Sequence, residues 1–242
     1  MSRKTLIYGT EYNNVTLSEA ADMTDIMLNE GGNHIVVTPN AEIAYLAKQN
    51  NRLCDIINSA DLSVPDGIGV VYASKIYRTP LKQKVAGVEL GEEVIARAAK
   101  SGRGVFFLGG KPGVAEYAAQ RMTEKYPGVR FVGMHDGYFK DDDDVIRIIN
   151  ESDAEILFVC LGAPKQEFWM ADNKERLNVS LMLGLGGALD SYAGTVKRAP
   201  EIWIKLGLEW LYRLIKDPKR AKRMLALPKY MFAVICDSLR KR

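Results

Sequence analysis

Three cysteines, two histidines and no bilayer-spanning apolar run narrow what this 242-residue chain can do. Cys54, Cys160 and Cys236 are odd in number and far apart, and no pair has metal-ligand spacing. They read as buried thiols of a reducing compartment. His34 and His135 are too few for a histidine-rich metal centre. Neither has an evident serine or cysteine partner, which argues against a nucleophilic triad. No window holds the roughly 18–20 uninterrupted apolar residues of a spanning helix. The longest late stretch, MLALPKYMFAVIC, is broken by Pro228 and Lys229. The opening MSRKTLIYGTEYNN lacks the apolar core of a secretory signal, so a cytoplasmic location is expected. Internal repeats and low-complexity segments are also missing.

The remaining composition is that of a globular protein, 47% apolar and 26% charged. The net charge of +3 is unevenly spread. Residues 201–242 hold 11 lysines and arginines against 4 acidic residues, a balance of +7, while the rest, 22 against 26, comes to −4. A mildly acidic body thus carries a basic end, which suits an anionic partner such as a membrane surface or a lipid phosphate. Nucleic acid is the weaker reading, because no recognised binding motif accompanies the charge.

Residues 1–195 read as alternating strands and helices. HIVVTPN, LSVPD, GVFFLGG, VRFVGM, AEILFVCLG and VSLMLGLGG are apolar, β-rich runs. AEIAYLAKQN, GIGVVYASKIY, EVIARAAKSG, VAEYAAQRMTEKY, DDDVIRIINES and KQEFWMADNKERL lie between them with helical spacing, Gly102 stopping one and Pro127 closing another. Buried strands between amphipathic helices predict an α/β fold: a mostly parallel, Rossmann-like sheet with helices on both faces. The character changes at Lys197-Arg198-Ala199-Pro200. Residues 196–242 read as a helical appendage, aromatic and aliphatic in IWIKLGLEWLYRLIK and basic beyond it. Its helix suits core, a dimer face or a membrane interface, with the interfacial reading favoured by the arginines beside apolar surface.

In an open parallel sheet, ligands bind beyond the carboxyl ends of the strands. The turns TPN, PDG, LGGKPG, LGAPKQE and LGGALD are all expected there. LGGKPG offers bare backbone at Gly109, Gly110 and Gly113 before a helix, suited to a diphosphate or simply to a tight turn. It is not a dinucleotide fingerprint, and no acidic ribose ligand follows at the expected distance. Gln166, in a helix first turn, presents an amide to a sugar hydroxyl or is merely solvated. Asn40 is a good helix cap, and Thr38 ends a strand. Asp66 in SVPDGIGVV is either a cap or a base at a cavity mouth. A cap position works against a base, because the helix dipole and donor N–H groups favour the ionised, weakly basic form. The run Asp141–Asp144 reads as a solvated, dipole-complementing helix start rather than a metal site.

TPNAEIAYLA, SVPDGIGVV, VAGVEL, FFLGGKPGVAE, DGYF, LGAPKQEFWM, GLGGALDSYAGTVKRAP and GLEWLYRLIKDPKR, in this order, resemble the WecG/TagA/CpsF family of bacterial glycosyltransferases, most nearly its TagA branch. The resemblance implies an inverting transfer with no metal or other cofactor. N-acetylmannosamine would pass from a UDP-sugar donor to a lipid-diphosphate-linked N-acetylglucosamine at the inner face of the cell membrane, in wall teichoic acid synthesis. A different UDP-sugar, such as UDP-glucose or a UDP-hexuronic acid, and a non-catalytic nucleotide-binding adaptor stay open as alternatives. By motif, Asp66 matches the catalytic base. Thr38, Asn40, Gln166, Tyr138 and Asp190 match substrate-binding positions, as do Gly109, Gly110 and Gly113. Arg213, Arg220 and Arg223 match arginines that meet the lipid diphosphate. Lys84 stands where the family usually has arginine before VAG, which keeps the charge and loses the bidentate fork. The resemblance also implies membrane contact through residues 196–242, and the apolar helix there implies self-association.

Overall fold

The computed structural model describes residues 4–196, 199–200, 202–203, 208–216 and 225–240, apart from the Arg213 side chain. Arg220 and Arg223 lie outside the described residues.

The centre is a six-stranded sheet in the order β4-β3-β8-β7-β5-β6. It is built from β3 (His34–Val37), β4 (Leu62–Ser63), β5 (Gly104–Gly109), β6 (Arg130–His135), β7 (Ile156–Cys160) and β8 (Leu181–Gly184). Every neighbouring pair is parallel. Alternation along each strand divides the core into two layers. Val105 and Phe107 of β5, with Ile156 and Phe158 of β7, face one apolar cluster. Phe106 and Leu108, with Leu157 and Val159, face the other. Each such aromatic or aliphatic side chain, fully buried, contributes about 1.5–3 kcal/mol, which is why these strands form a centre covered on both sides.

The first layer is covered by α1 (Leu17–Glu30), α5 (Gly87–Ser101), α6 (Val114–Lys125) and α9 (Ala188–Tyr192). The second is covered by α2 (Ala41–Ala47), α3 (Asn51–Ser59), α7 (Asp142–Asn150) and α8 (Lys165–Asn173). Between β4 and α5 runs α4 (Ile68–Ile76). The parallel sheet expected from the apolar runs is therefore present, with each expected strand in it. Gly102, at φ 73°, does end α5, and Asp141 caps α7 by accepting from Asp143 N–H at 2.9 Å. Asp142 accepts from Trp169 Nε1 at 3.1 Å, and Asp143 pairs with Arg176, so these carboxylates serve the helix start and its neighbours.

Several elements were not in the sequence reading. A hairpin of β1 (Lys4–Ile7) and β2 (Thr10–Asn13) lies against the outer edge of β4, where Ser63 N–H donates to Asn13 Oδ1 at 2.9 Å. This covers an edge that would otherwise present unpaired backbone. α1 has a full capping box between Thr16 and Glu19. α3 follows directly on α2, capped by Asn50, and α5 begins at Gly87, ahead of the expected EVIARAAKSG.

Of the helices in residues 196–242, α10 (Glu209–Lys216) and α11 (Ala226–Arg240) are described. α11 packs against β1, β2, α2 and α4. Tyr230 and Val234 are buried with Ile7, Tyr12, Ala41, Ala44 and Val70. Tyr77 Oη donates to Asp237, and Ser238 Oγ donates to the Ile76 carbonyl at 3.3 Å.

Candidate active site

A cavity of about 620 Å³ opens beyond the carboxyl ends of β4, β3, β8 and β7, walled on its outer side by α4, α10 and the start of α11. The turns TPN, PDG, LGAPKQE and LGGALD converge on it and contribute Thr38, Asn40, Asp66, Gln166 and Asp190 to its lining. Lys84, from the loop before α5, completes the set.

Asp66 is not the cap of α4. Gly67 holds that position at φ 95°, a backbone conformation that glycine adopts freely, and α4 has no side-chain cap. The Asp66 carboxylate turns to the start of α5, where Gly87 N–H donates to it at 3.4 Å. Val85 N–H donates to the Pro65 carbonyl at 2.9 Å, so one backbone bond sets the strand end carrying Asp66 beside the loop carrying Lys84. Asn40 is both cap and lining residue. Its Oδ1 accepts from Ile43 N–H at 3.0 Å, which leaves its amide nitrogen as the atom to offer a ligand.

Three turns are tied together at the cavity floor. Thr38 Oγ1 donates to the Gly184 carbonyl at 2.9 Å, joining the end of β3 to β8. Gly186 N–H donates to Gln166 Oε1 at 2.9 Å, joining the turn after β8 to α8. Gln166 Nε2 in turn donates to Glu167 Oε1 at 2.9 Å. Both side chains are buried, and burial raises the Glu167 pKa against the opposing effect of the Gln166 hydrogen bond.

The lining is otherwise acidic. Glu42, Glu89 and Glu209 join Asp66 and Asp190, and Lys84 is the one cation in the lining among the described residues. Lys84 Nζ lies 3.7 Å from Glu209 Oε2, so α10 reaches into the site. Asp190 faces the chain leading there, accepting from Thr195 Oγ1 at 3.2 Å, and its carbonyl accepts from Val196 N–H at 3.2 Å. At the mouth, Tyr72, Trp210 and Leu227 are apolar. Gly69 lets α4 approach α11, since a Cβ there would stand 2.9 Å from Leu227 Cδ1.

The structure does not bring Gly109, Gly110, Gly113 or Tyr138 into this lining. The LGGKPG turn sits one strand further along the same sheet edge. Gly110 N–H points at the Cys160 carbonyl at 3.4 Å, and its carbonyl accepts from Gly137 N–H at 2.9 Å. Tyr138 is exposed beside it. Arg220, Arg223 and the Arg213 side chain, expected at the lipid diphosphate, are not among the described residues. Sequence reasoning passed over Glu167 and Glu209, although both stand in the quoted blocks APKQE and GLEWLYRLIK.

A family model described as the Glycosyl transferase WecG/TagA/CpsF family matches residues 5–242. The chain belongs to this family. Among curated relatives, a protein of Bacillus spizizenii named N-acetylglucosaminyldiphosphoundecaprenol N-acetyl-beta-D-mannosaminyltransferase is 39% identical over 86% of this chain and 81% of its own. One of the same name from Bacillus subtilis is 35% identical over the same shares. The WecG/TagA/CpsF membership makes this protein a glycosyltransferase, as the resemblance implied. Among the described residues no group of three or more His, Cys, Asp or Glu side chains is arranged to hold a metal ion, and no helix is long and apolar enough to cross a membrane.

Proposed function

We propose that this protein transfers N-acetylmannosamine, with inversion, from a UDP donor to undecaprenyl-diphosphate-linked N-acetylglucosamine, in building the wall teichoic acid linkage unit. The names of the two Bacillus relatives support the acceptor and the sugar. The observation that carries the chemistry is that Asp66 and Lys84 line the same cavity, on segments joined by the Val85–Pro65 backbone bond. Asp66 takes the proton of the acceptor hydroxyl as its oxygen bonds to the anomeric carbon. The bond from that carbon to the diphosphate oxygen breaks on the opposite face, and UDP leaves with the electron pair. Lys84 meets the charge that develops there. Thr38, Asn40, Gln166 and Asp190 hold sugar hydroxyls and phosphate oxygens around it.

The acceptor is lipid-borne, and α11 supports a peripheral contact with the cytoplasmic membrane face. Tyr230, Val234 and Ser238 turn inward, while Phe232, Ile235 and Leu239 are exposed on another face. Their helical spacing makes an apolar stripe, and Lys229 and Arg240 on the same helix supply positive charge for anionic headgroups. The same stripe supports self-association away from a bilayer. Asparagine substitutions at Phe232, Ile235 and Leu239 leave Tyr230 and Val234 in place, so they test the surface without uncovering the core. Weaker binding to anionic liposomes supports the membrane reading, and unchanged binding rejects it.

The deciding experiment is release of UDP from UDP-N-acetylmannosamine with and without the lipid-linked acceptor, repeated with UDP-N-acetylglucosamine and UDP-glucose. Acceptor-dependent release from the first donor is expected. Preference for another donor, or release indifferent to acceptor, overturns the reading.

A further inference from the structure

Gln166 lines the cavity, but the residue that decides how its amide stands is buried behind it. We propose that Glu167 is a positioning residue of this site, a carboxyl that locks the Gln166 amide and, through it, the Gly186 backbone of the facing turn. For its activity readout the proposal rests on the transfer reaction proposed above.

What each atom is able to donate or accept fixes the pose of the amide. Gly186 N–H is only a donor, so the Gln166 atom 2.9 Å from it must be the oxygen. The amide nitrogen is then turned to Glu167 Oε1, also at 2.9 Å, and that atom must accept. A flipped amide would set N–H against N–H at Gly186. The space is tailored to this pose. A Cβ on Gly184 would stand 3.2 Å from Gln166 Nε2 and 2.8 Å from Met170 Cε, so the bare residue there leaves room for the amide. The Gly184 carbonyl takes the Thr38 hydroxyl, and the chain thus spans three of the turns that line the cavity.

Glu167 has no other evident reason to be where it is. It is 1% exposed, and among the described residues Oε2 has no hydrogen-bond partner. An apolar side chain would fill such a place without that cost, because a buried carboxyl short of partners is unfavourable. Burial favours the neutral acid, in which one oxygen still accepts. What the geometry asks of position 167 is an acceptor of this reach, 2.9 Å from Gln166 Nε2. That distinguishes it from Asp66, whose role requires a base.

The test compares Glu167→Gln, which keeps an acceptor of the same shape, with Glu167→Met, which keeps length and apolar volume without one. Glu167→Met is expected to lower kcat/KM by about tenfold, the order set by an unmade buried hydrogen bond, and Glu167→Gln to recover most of that loss. In a Gln166→Ala background, Glu167→Met is expected to cost nothing further, because the partner it positions is gone. Hydrogen exchange at the Gly186 amide provides a readout independent of chemistry. It is expected to quicken in Glu167→Met and to keep its protection in Glu167→Gln. Equal losses from Glu167→Met with and without Gln166 would show a purely structural role and overturn the proposal. So would a Glu167→Gln variant as impaired as Glu167→Met, which would show that the charge itself is needed. A wild-type protein that transfers no sugar defeats the proposed function instead, and the Gly186 exchange result still decides the positioning role.

Discussion

Lys84 Nζ and Glu209 Oε2 face each other at 3.7 Å across the cavity, one from the loop before α5 and the other from the first turn of α10. Both side chains are about one-fifth exposed, so the pair is only partly screened by water. A diphosphate entering the cavity meets Lys84 with a carboxylate already beside it. Lys84→Gln is expected to weaken UDP binding by about tenfold, the scale of a lost charge-assisted hydrogen bond. Glu209→Gln is expected to tighten it by removing a competitor. Titration calorimetry with UDP checks both, and equal affinities in wild type and Lys84→Gln would remove Lys84 from the diphosphate site.

Asp66 accepts from Gly87 N–H yet lines the cavity, so its removal should separate folding from turnover. Asp66→Asn is expected to lower kcat by about 10²–10⁴-fold, the usual contribution of a general base, with UDP affinity and melting temperature little changed. Near-normal turnover in that variant would take Asp66 out of the mechanism.

Burial raises the Glu167 pKa above its ordinary value of 4.5. The stability tied to the neutral acid is complete below 4.5 and is lost as pH rises through the raised, folded-state value. Glu167→Gln does not titrate. Its melting temperature relative to wild type is expected to be level below pH 4.5 and to climb as pH rises from there through the raised value. A difference that stays constant as pH rises from 4.5 contradicts the raised pKa.

Gly109 takes φ 130°, and a Cβ there would lie 2.3 Å from the Cys160 carbonyl oxygen of the neighbouring strand. Gly109→Ala must strain the backbone and push β5 from β7, at a cost of about 1–3 kcal/mol or more. Urea unfolding measures it. An alanine variant as stable as wild type would mean that the two strand ends part easily.

Cys160 is buried, and desolvation pushes its thiol up to about 12. In the native protein it is expected to resist a disulfide reagent at neutral pH, while the half-buried Cys54 and Cys236 react first. All three should react once urea unfolds the chain. Rapid native modification of Cys160 would show that the β7 end opens.

The parallel sheet was legible because its strands are sandwiched between helix layers and so appear as unbroken apolar runs, Phe106-Phe107-Leu108 and Ile156-Leu157-Phe158-Val159 among them. The turns carrying Asp66, Asn40 and Gln166 were legible because proline, glycine and cap residues punctuate the ends of those runs. The β1–β2 hairpin was not, since its strands are short and their value lies in covering the edge of β4. α1 left a readable sign in Thr16 and Glu19, a capping box at the standard spacing.

Asp66 gives the clearest division. Its neighbours in the chain, Pro65 and Gly67, already required a turn before a helix. Whether it capped that helix could not be read locally, because the group that takes its carboxylate, Gly87 N–H, is 21 residues away. Glu167 and Glu209 were obscured for the same reason. A glutamate in a helix first turn suits the dipole wherever it points. Only packing buried one behind Gln166 and brought the other to Lys84. Local spacing and hydrophobicity decide which elements form and where their turns fall. Which turns share a cavity, and which carboxyl loses its water, depends on contacts between residues far apart in the chain.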